Sequence, residues 1–225
     1  MASAKALFGA AFGRFFFRDA TVTSVRALGE KFRLAELEGD ALTGVTWTPG
    51  DKVQVYLGED MRTYTPIAWD AASGKTSFLL YVHGASAPGA RWARDLMAGA
   101  RCQFFGPRGS IAFTALPPDV TFFGDETSFA AAAALKGVRS ARNVFEVESE
   151  RESKRALTAL GIEATLIERT ADDAHLEAVA RTLERSPPQS LVLTGRAQSI
   201  QDLRRRGLRP AKTKAYWSVG KSGLD

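Results

Sequence analysis

The sequence predicts a two-part α/β protein: an antiparallel β-barrel followed by a parallel sheet flanked by helices. Three observations carry this. Up to about residue 115, short runs of period-two apolar residues alternate with Gly/Pro turns. After Leu116-Pro117-Pro118 the pattern switches to apolar runs separated by helix-period stretches, the signature of strand-helix alternation. At 225 residues the chain is long enough for one large domain or two modest ones. The break is placed at 116/117, giving units 1–116 and 117–225.

Taken in order, residues 6–17 put Phe8, Phe12, Phe15 and Phe16 on one helical face, read as a lead-in packed on the domain; the alternative is a membrane-surface helix. Arg14 interrupts the run and no small-residue cleavage site follows, so it is not read as a signal peptide. Segments 21–25 and 32–37 alternate as strands. In 53–57, Val53, Val55 and Leu57 share one face, and strands at 78–82 and 111–113 follow. Pro49-Gly50 and Gly106-Pro107-Arg108-Gly109 are turns. One helix is expected over 90–98, ended by Gly99. Beyond the break, strands are expected at 120–123, 143–147, 165–167 and 191–193. Helices are expected to about 136 (alanine-rich), from the capping-box spacing Ser149-Glu150-Arg151-Glu152 to 160, over 172–184, and over 199–206.

Composition narrows the function. One cysteine, Cys102, excludes an intrachain disulfide, and two histidines with no Cys/His cluster argue against a metal site. No apolar run reaches the length of a membrane span, and a cytoplasmic protein is expected. The net charge is +5, and residues 201–225 hold seven Lys/Arg against two acids, 7 − 2 = +5, so the tail carries the whole excess. A local positive field attracts anions.

Several stretches carry chemistry. Arg62-Thr63-Tyr64-Thr65 offers a planar fork of donors for a phosphate, a flat ring two residues on along the same strand face, and a hydroxyl, a compact set for holding a flavin. His83-Gly84 leads through Pro88-Gly89-Ala90-Arg91-Trp92 into a helix whose free N–H groups suit a pyrophosphate. Gly124-Asp125-Glu126-Thr127 ends the first strand of the second part, where open α/β sheets bind nucleotides. Its acids suit ribose hydroxyls or a carboxamide better than phosphate. Glu146, Glu148, Ser149, Glu150, Arg151, Lys154 and Arg155 mix acids and bases after the next strand, so NADH and NADPH stay equal alternatives, as does simple helix capping. Lys212, Lys214 and Lys221 interleave with Tyr216 and Trp217 in a pattern open to an anionic small molecule or to single-stranded nucleic acid.

As an ordered series these motifs resemble the siderophore-interacting protein family, flavoprotein ferric-siderophore reductases related to ferredoxin reductases. The resemblance rests on Arg62-Thr63-Tyr64-Thr65, His83-Gly84, Pro88-Gly89, Arg91-Trp92-Ala93, Gly106-Pro107-Arg108-Gly109, Gly124-Asp125-Glu126-Thr127 and Ala215-Tyr216-Trp217-x-x-Gly220-Lys221. It implies a Greek-key FAD-binding barrel followed by an NAD(P)H-binding domain. It implies Arg62 at the FAD phosphates, Tyr64 against the flavin or ribityl and Thr65 near the hydride-accepting nitrogen. His83 and the 88–92 loop would hold the rest of FAD, 124–127 the nicotinamide nucleotide, and Tyr216 and Trp217 would sit near the flavin. Lys212, Lys214 and Lys221 would face an anionic ferric siderophore. The chemistry would be flavin-borne, with no residue acting as general acid or base. Arg196 stands where the family leads one to expect an acid. Acceptors other than a ferric siderophore remain as alternatives (a ferredoxin, a quinone or free flavin), and a nucleic-acid module is the non-enzymatic one.

Overall fold

The computed structural model describes residues 17–58, 60–84 and 87–220. The lead-in over 6–16 and Lys221 lie outside the described residues. The first half forms seven strands: β1 (Phe17–Ala27), β2 (Phe32–Glu38), β3 (Lys52–Tyr56), β4 (Met61–Tyr64), β5 (Pro66–Asp70), β6 (Lys75–Tyr81) and β7 (Arg101–Arg108). They pair in the order β4-β3-β7-β1-β2-β6-β5, every pair antiparallel. The two end strands, β4 and β5, are consecutive in the chain and joined by Thr65 alone. A flat seven-stranded sheet would hold its edges roughly 29 Å apart, beyond the reach of one residue, so the sheet curls into a barrel with Thr65 at its seam. Val22, Leu37, Val53, Val55, Phe78 and Phe104, each at most 1% exposed, fill the interior.

The second half forms β8 (Asp119–Gly124), β9 (Ser140–Val147), β10 (Ala164–Glu168), β11 (Leu191–Arg196) and β12 (Lys212–Trp217), all parallel, in the order β10-β9-β8-β11-β12. Helix α1 (Pro88–Asp95) belongs to the barrel half. The parallel half carries α2 (Phe129–Lys136), α3 (Glu150–Ala159), α4 (His175–Leu183) and α5 (Ala197–Arg205). Strand order reverses at β8, the place where such sheets open a ligand crevice at their carboxyl ends.

Four expectations are corrected. Gly106-Pro107-Arg108 is not a turn but the last part of β7, where Arg108 pairs with Lys52. The run 111–113 is not a strand; Phe113–Ala115 is a 3₁₀ turn that packs Phe113 edge-on against Phe122, and a short apolar run reads alike in either case. Strand β5 has no counterpart in the sequence reading, because Pro66 opens it at a sheet end, where no ladder N–H is needed. Helix α1 spans 88–95 rather than 90–98: Pro88 suits the first helical turn, and Leu96 is already extended.

The alanine-rich α2 is more than a good helix former. Six of its eight residues are buried, because it lies between the parallel sheet and the barrel strands β5 and β6. Only small side chains allow that approach on all faces. One apolar cluster runs through both halves, from Leu28, Phe32, Leu79 and Ile111 to Phe122, Phe129 and Phe145. Phe32 stacks on Phe129 with centroids 5.4 Å apart. This shared core holds the barrel seam against the carboxyl edge of the parallel sheet.

Candidate functional site

At the seam, β4 presents Arg62 and Tyr64 on one face and exposed Thr63 on the other. Tyr64 packs between Phe78 (6.2 Å) and Trp92 of α1 (5.4 Å), and burial pushes its hydroxyl pKa up against the opposing pull of Arg62. Gly89 closes the corner: a Cβ there would lie 3.3 Å from the Arg62 side chain and 3.4 Å from the Tyr64 hydroxyl. Among the described residues the Arg62 guanidinium, on a side chain 27% exposed, donates to the Met61 carbonyl at 2.8 Å and reaches Asp60 at 3.5 Å. Among the described residues no side chain caps the α1 N-terminus, where Ala87 is the cap residue. Partly engaged guanidinium, uncapped helix N–H groups and a glycine at their junction fit a pyrophosphate with an aromatic wall beside it. Pro88 opens the helix, Arg91 is exposed, and Ala90 is fully buried, so Ala90 can reach a ligand only through its backbone. His83 stacks near Tyr81 at 5.7 Å; loss of water contact, then the charge of Arg62, hold its pKa below the ordinary imidazole value, with Glu126 opposing.

From the seam a line of contacts crosses to the parallel sheet. The Thr65 side chain faces the Tyr216 hydroxyl, whose pKa burial and then the nearby Asp125 push up, with Thr65 opposing. The Trp217 indole Nε1 donates to Asp125 Oδ2 at 2.6 Å. Residues 62–65, 88–92, 125 and 216–217, scattered in sequence, thus come together.

The turn after β8 departs from expectation. Asp125 is 1% and Glu126 4% exposed, and both carboxylates are engaged inside the protein. Asp125 Oδ1 accepts from Thr127 N (2.9 Å) and from the Thr127 hydroxyl. Burial pushes its pKa up to about 6, against the hydrogen bonds from Thr127 and Trp217. Glu126 takes a bidentate pair from Arg169 (2.8 and 3.0 Å) and the Glu148 N–H. These carboxylates are not presented to ribose hydroxyls or a carboxamide.

Beneath them lies a network the sequence reading missed. Glu146, fully buried, accepts from Ser199 Oγ at 2.7 Å and meets His175 Nε2 at 2.8 Å. His175 Nδ1 accepts from Thr170 N, so the ring proton sits on Nε2 and points at Glu146. Arg169 follows a visible strand and His175 is one of two histidines, but nothing local says that they converge. Glu148, offered as a ribose acid, turns to the barrel instead and takes Lys31 at 2.5 Å and the Tyr81 hydroxyl at 3.0 Å. Of the Ser149–Glu152 capping box only one half forms: Ser149 Oγ accepts from Glu152 N, while the Glu152 carboxylate accepts from Glu30 N. Arg196 pairs with Asp173 through both terminal nitrogens.

The lysines spread along β12. Lys214 pairs in register with Thr194, whereas Lys212 starts the strand opposite Val192, five residues before Trp217 and roughly 16 Å from it at a strand's rise. Among the described residues no group of three or more His, Cys, Asp or Glu could hold a metal ion, and no helix is long and apolar enough to cross a membrane.

Residues 58–111, 54 of the 225, match the family model described as the siderophore-interacting FAD-binding domain. They include the seam, His83 and α1. No curated protein matches the chain. Among solved structures the chain is similar to a siderophore utilization protein from T. fusca, with 24% identity, 93% of this chain and 95% of that one covered and a TM-score of 0.72. It is similar to the siderophore-interacting protein SipS from Aeromonas hydrophila, with 16% identity, 92% and 93% covered and a TM-score of 0.73. Phthalate dioxygenase reductase, titled as a modular structure for electron transfer from pyridine nucleotides to [2Fe-2S], matches with 14% identity, 94% and 71% covered and a TM-score of 0.72. The last comparison carries the fold class: an antiparallel barrel joined to a five-stranded parallel sheet.

Proposed function

On the premise of a siderophore-interacting FAD-binding segment within a ferredoxin-reductase-like fold, we propose that this chain is an FAD-dependent oxidoreductase that uses NAD(P)H to reduce Fe(III) in anionic ferric siderophores. The single observation that carries the reading is the seam, where Arg62, Tyr64, Gly89 and the uncapped α1 form a phosphate-and-ring receptacle inside the matched segment. Bound FAD would accept hydride and release electrons one at a time, so one NAD(P)H suffices for two ferric ions. Arg62 and the α1 N–H groups would hold its phosphates, and Tyr64 and Trp92 would exclude water beside the ring. Thr65, kept in place by Tyr216, would offer its hydroxyl to a ring heteroatom.

The nucleotide domain is proposed to begin after residue 116, with NAD(P)H at the carboxyl edge of β8 and β11. The carboxylates of Asp125 and Glu126 support the turn from within, so nucleotide contact falls to Thr127 and nearby backbone. Lys214 is the described lysine nearest Tyr216 along β12, and it is the candidate for steering an anionic chelate; Lys212 adds to the longer-range field. The expected compartment is the cytoplasm.

The test is turnover of the FAD-loaded protein with NADH or NADPH under anaerobic conditions, with a ferrous trap. The acceptors are one anionic ferric siderophore, a ferredoxin, a quinone and free flavin. Preferential ferrous release from the siderophore supports the reading; faster reduction of another acceptor replaces it.

A further inference from the structure

One contact at the carboxyl edge has no counterpart in this reading, and it deepens the nucleotide site on which it rests. We infer that Asp125 is a positioning residue: its carboxylate holds the Trp217 indole, and with it the end of β12, at the crevice where NAD(P)H is proposed to bind.

The contact is improbable by local rules. Asp125 follows β8 and Trp217 ends β12, with β11 lying between those strands. The reach is possible because Gly195, on β11, has no side chain. Its φ is +92°, and a Cβ would sit 2.7 Å from the Asp125 carboxyl carbon. The ladder also breaks there: Gly195 pairs with Ala215, but Arg196 pairs with Trp217, so Tyr216 is the extra residue of a bulge. Bulges re-aim side chains next to sites. This one sends Tyr216 to Thr65 of the seam and Trp217 to Asp125.

The carboxylate is placed for this task and for little else. Oδ1 is taken by the backbone and hydroxyl of Thr127, and Oδ2 by the indole. Neighbouring Glu126 and Glu146 oppose its charge, and Arg169, bound to Glu126, favours it. A carboxylate 1% exposed beside two others is costly to keep. Trp217 contributes its only polar atom to offset that cost. The bond therefore sets one indole orientation, and the bulge transmits it to Tyr216 and the seam.

The test uses the FAD-loaded protein with three variants, Trp217→Phe, Asp125→Asn and the double. In Asp125→Asn the one amide oxygen stays on the two Thr127 donors and the NH2 turns to the indole, so the Trp217 bond is the one lost. The first readout is the 15N–1H indole spectrum, with the Trp217 signal identified by its loss in Trp217→Phe. The second is binding of NAD+ and NADP+ by calorimetry, which needs no turnover. The expected result is a Trp217 signal displaced in Asp125→Asn, nucleotide affinity reduced roughly tenfold in each single variant, and no further loss in the double. An unmoved indole signal, or additive losses, overturns the inference while leaving the nucleotide reading intact. Failure of the wild-type protein to bind either nucleotide overturns the nucleotide reading and the purpose assigned to the contact. Should Asp125→Asn not fold, Trp217→Phe with undiminished nucleotide affinity overturns the inference from the other side.

Discussion

The barrel seam and the carboxyl edge of the parallel sheet face one site, yet they are built on opposite principles. At the seam, among the described residues, Arg62 is partly exposed and loosely paired and α1 has no side-chain cap. At the sheet edge, Asp125, Glu126, Glu146, Arg169 and His175 are largely buried and engage one another. Unsatisfied donors define a receptacle; a saturated network defines a scaffold. Substitutions at the seam should therefore cost ligand affinity, and those within the buried Glu126–Arg169 and Glu146–His175 pairs should cost stability.

The largest effect expected from this contrast is at Arg169. Arg169→Met leaves Glu126 buried without its cation and should cost about 3–5 kcal/mol of unfolding free energy, measured by denaturant titration. Arg62→Met should stay within about 0.5 kcal/mol of wild type in the same assay. Equal losses would erase the distinction.

Next is pH. The Asp125 carboxyl is pushed up to about 6 in the folded protein and titrates near 4 when unfolded. Between those values the folded state holds the proton that the unfolded state has lost, so this group's contribution to stability falls as pH rises from about 4 to 6. It stays at its least favourable value above 6. The difference amounts to at most about 3 kcal/mol. Trp217→Phe removes a hydrogen bond that favours the ionised form and should move the carboxyl pKa higher still, read from the 13C shift of the Asp125 carboxyl. A downward move would contradict the contact.

Smaller again is Gly89→Val, which crowds Arg62 and Tyr64. FAD affinity should fall roughly tenfold, or about 1.4 kcal/mol, in a fluorescence-quenching titration. The smallest effect is Glu148→Gln, which weakens an exposed link to Lys31 and Tyr81. Stability should change by less than about 1 kcal/mol, and less at high salt.

The same contrast explains what could be read from sequence. The seam was legible because its chemistry is contiguous: Arg62 and Tyr64 alternate on one strand, and Pro88 and Gly89 open one helix. That Thr65 joins the two ends of the barrel was not legible, since closure depends on pairing β4 and β5 with strands far away in sequence. The scaffold was hidden for the same reason. Glu146, His175 and Ser199 lie on three different elements and Arg169 on the loop after β10, and they meet only when the parallel sheet forms. Asp125 and Glu126 were visible as a motif, but sequence gives no sign that their carboxylates turn inward. Glu148 stood at the right strand end for a ribose, and the barrel's Lys31 and Tyr81 claimed it.

If the seam is the phosphate anchor of FAD, the direct measurement is the FAD dissociation constant of the wild-type protein against Arg62→Ala. The expected result is a flavin spectrum for the wild type and affinity weaker by about 10- to 100-fold in the variant, corresponding to the roughly 1.5–3 kcal/mol of a charge-assisted hydrogen bond, with the unfolding midpoint unchanged. A wild-type protein that takes up no FAD, or an Arg62→Ala variant that binds it equally well, would contradict it.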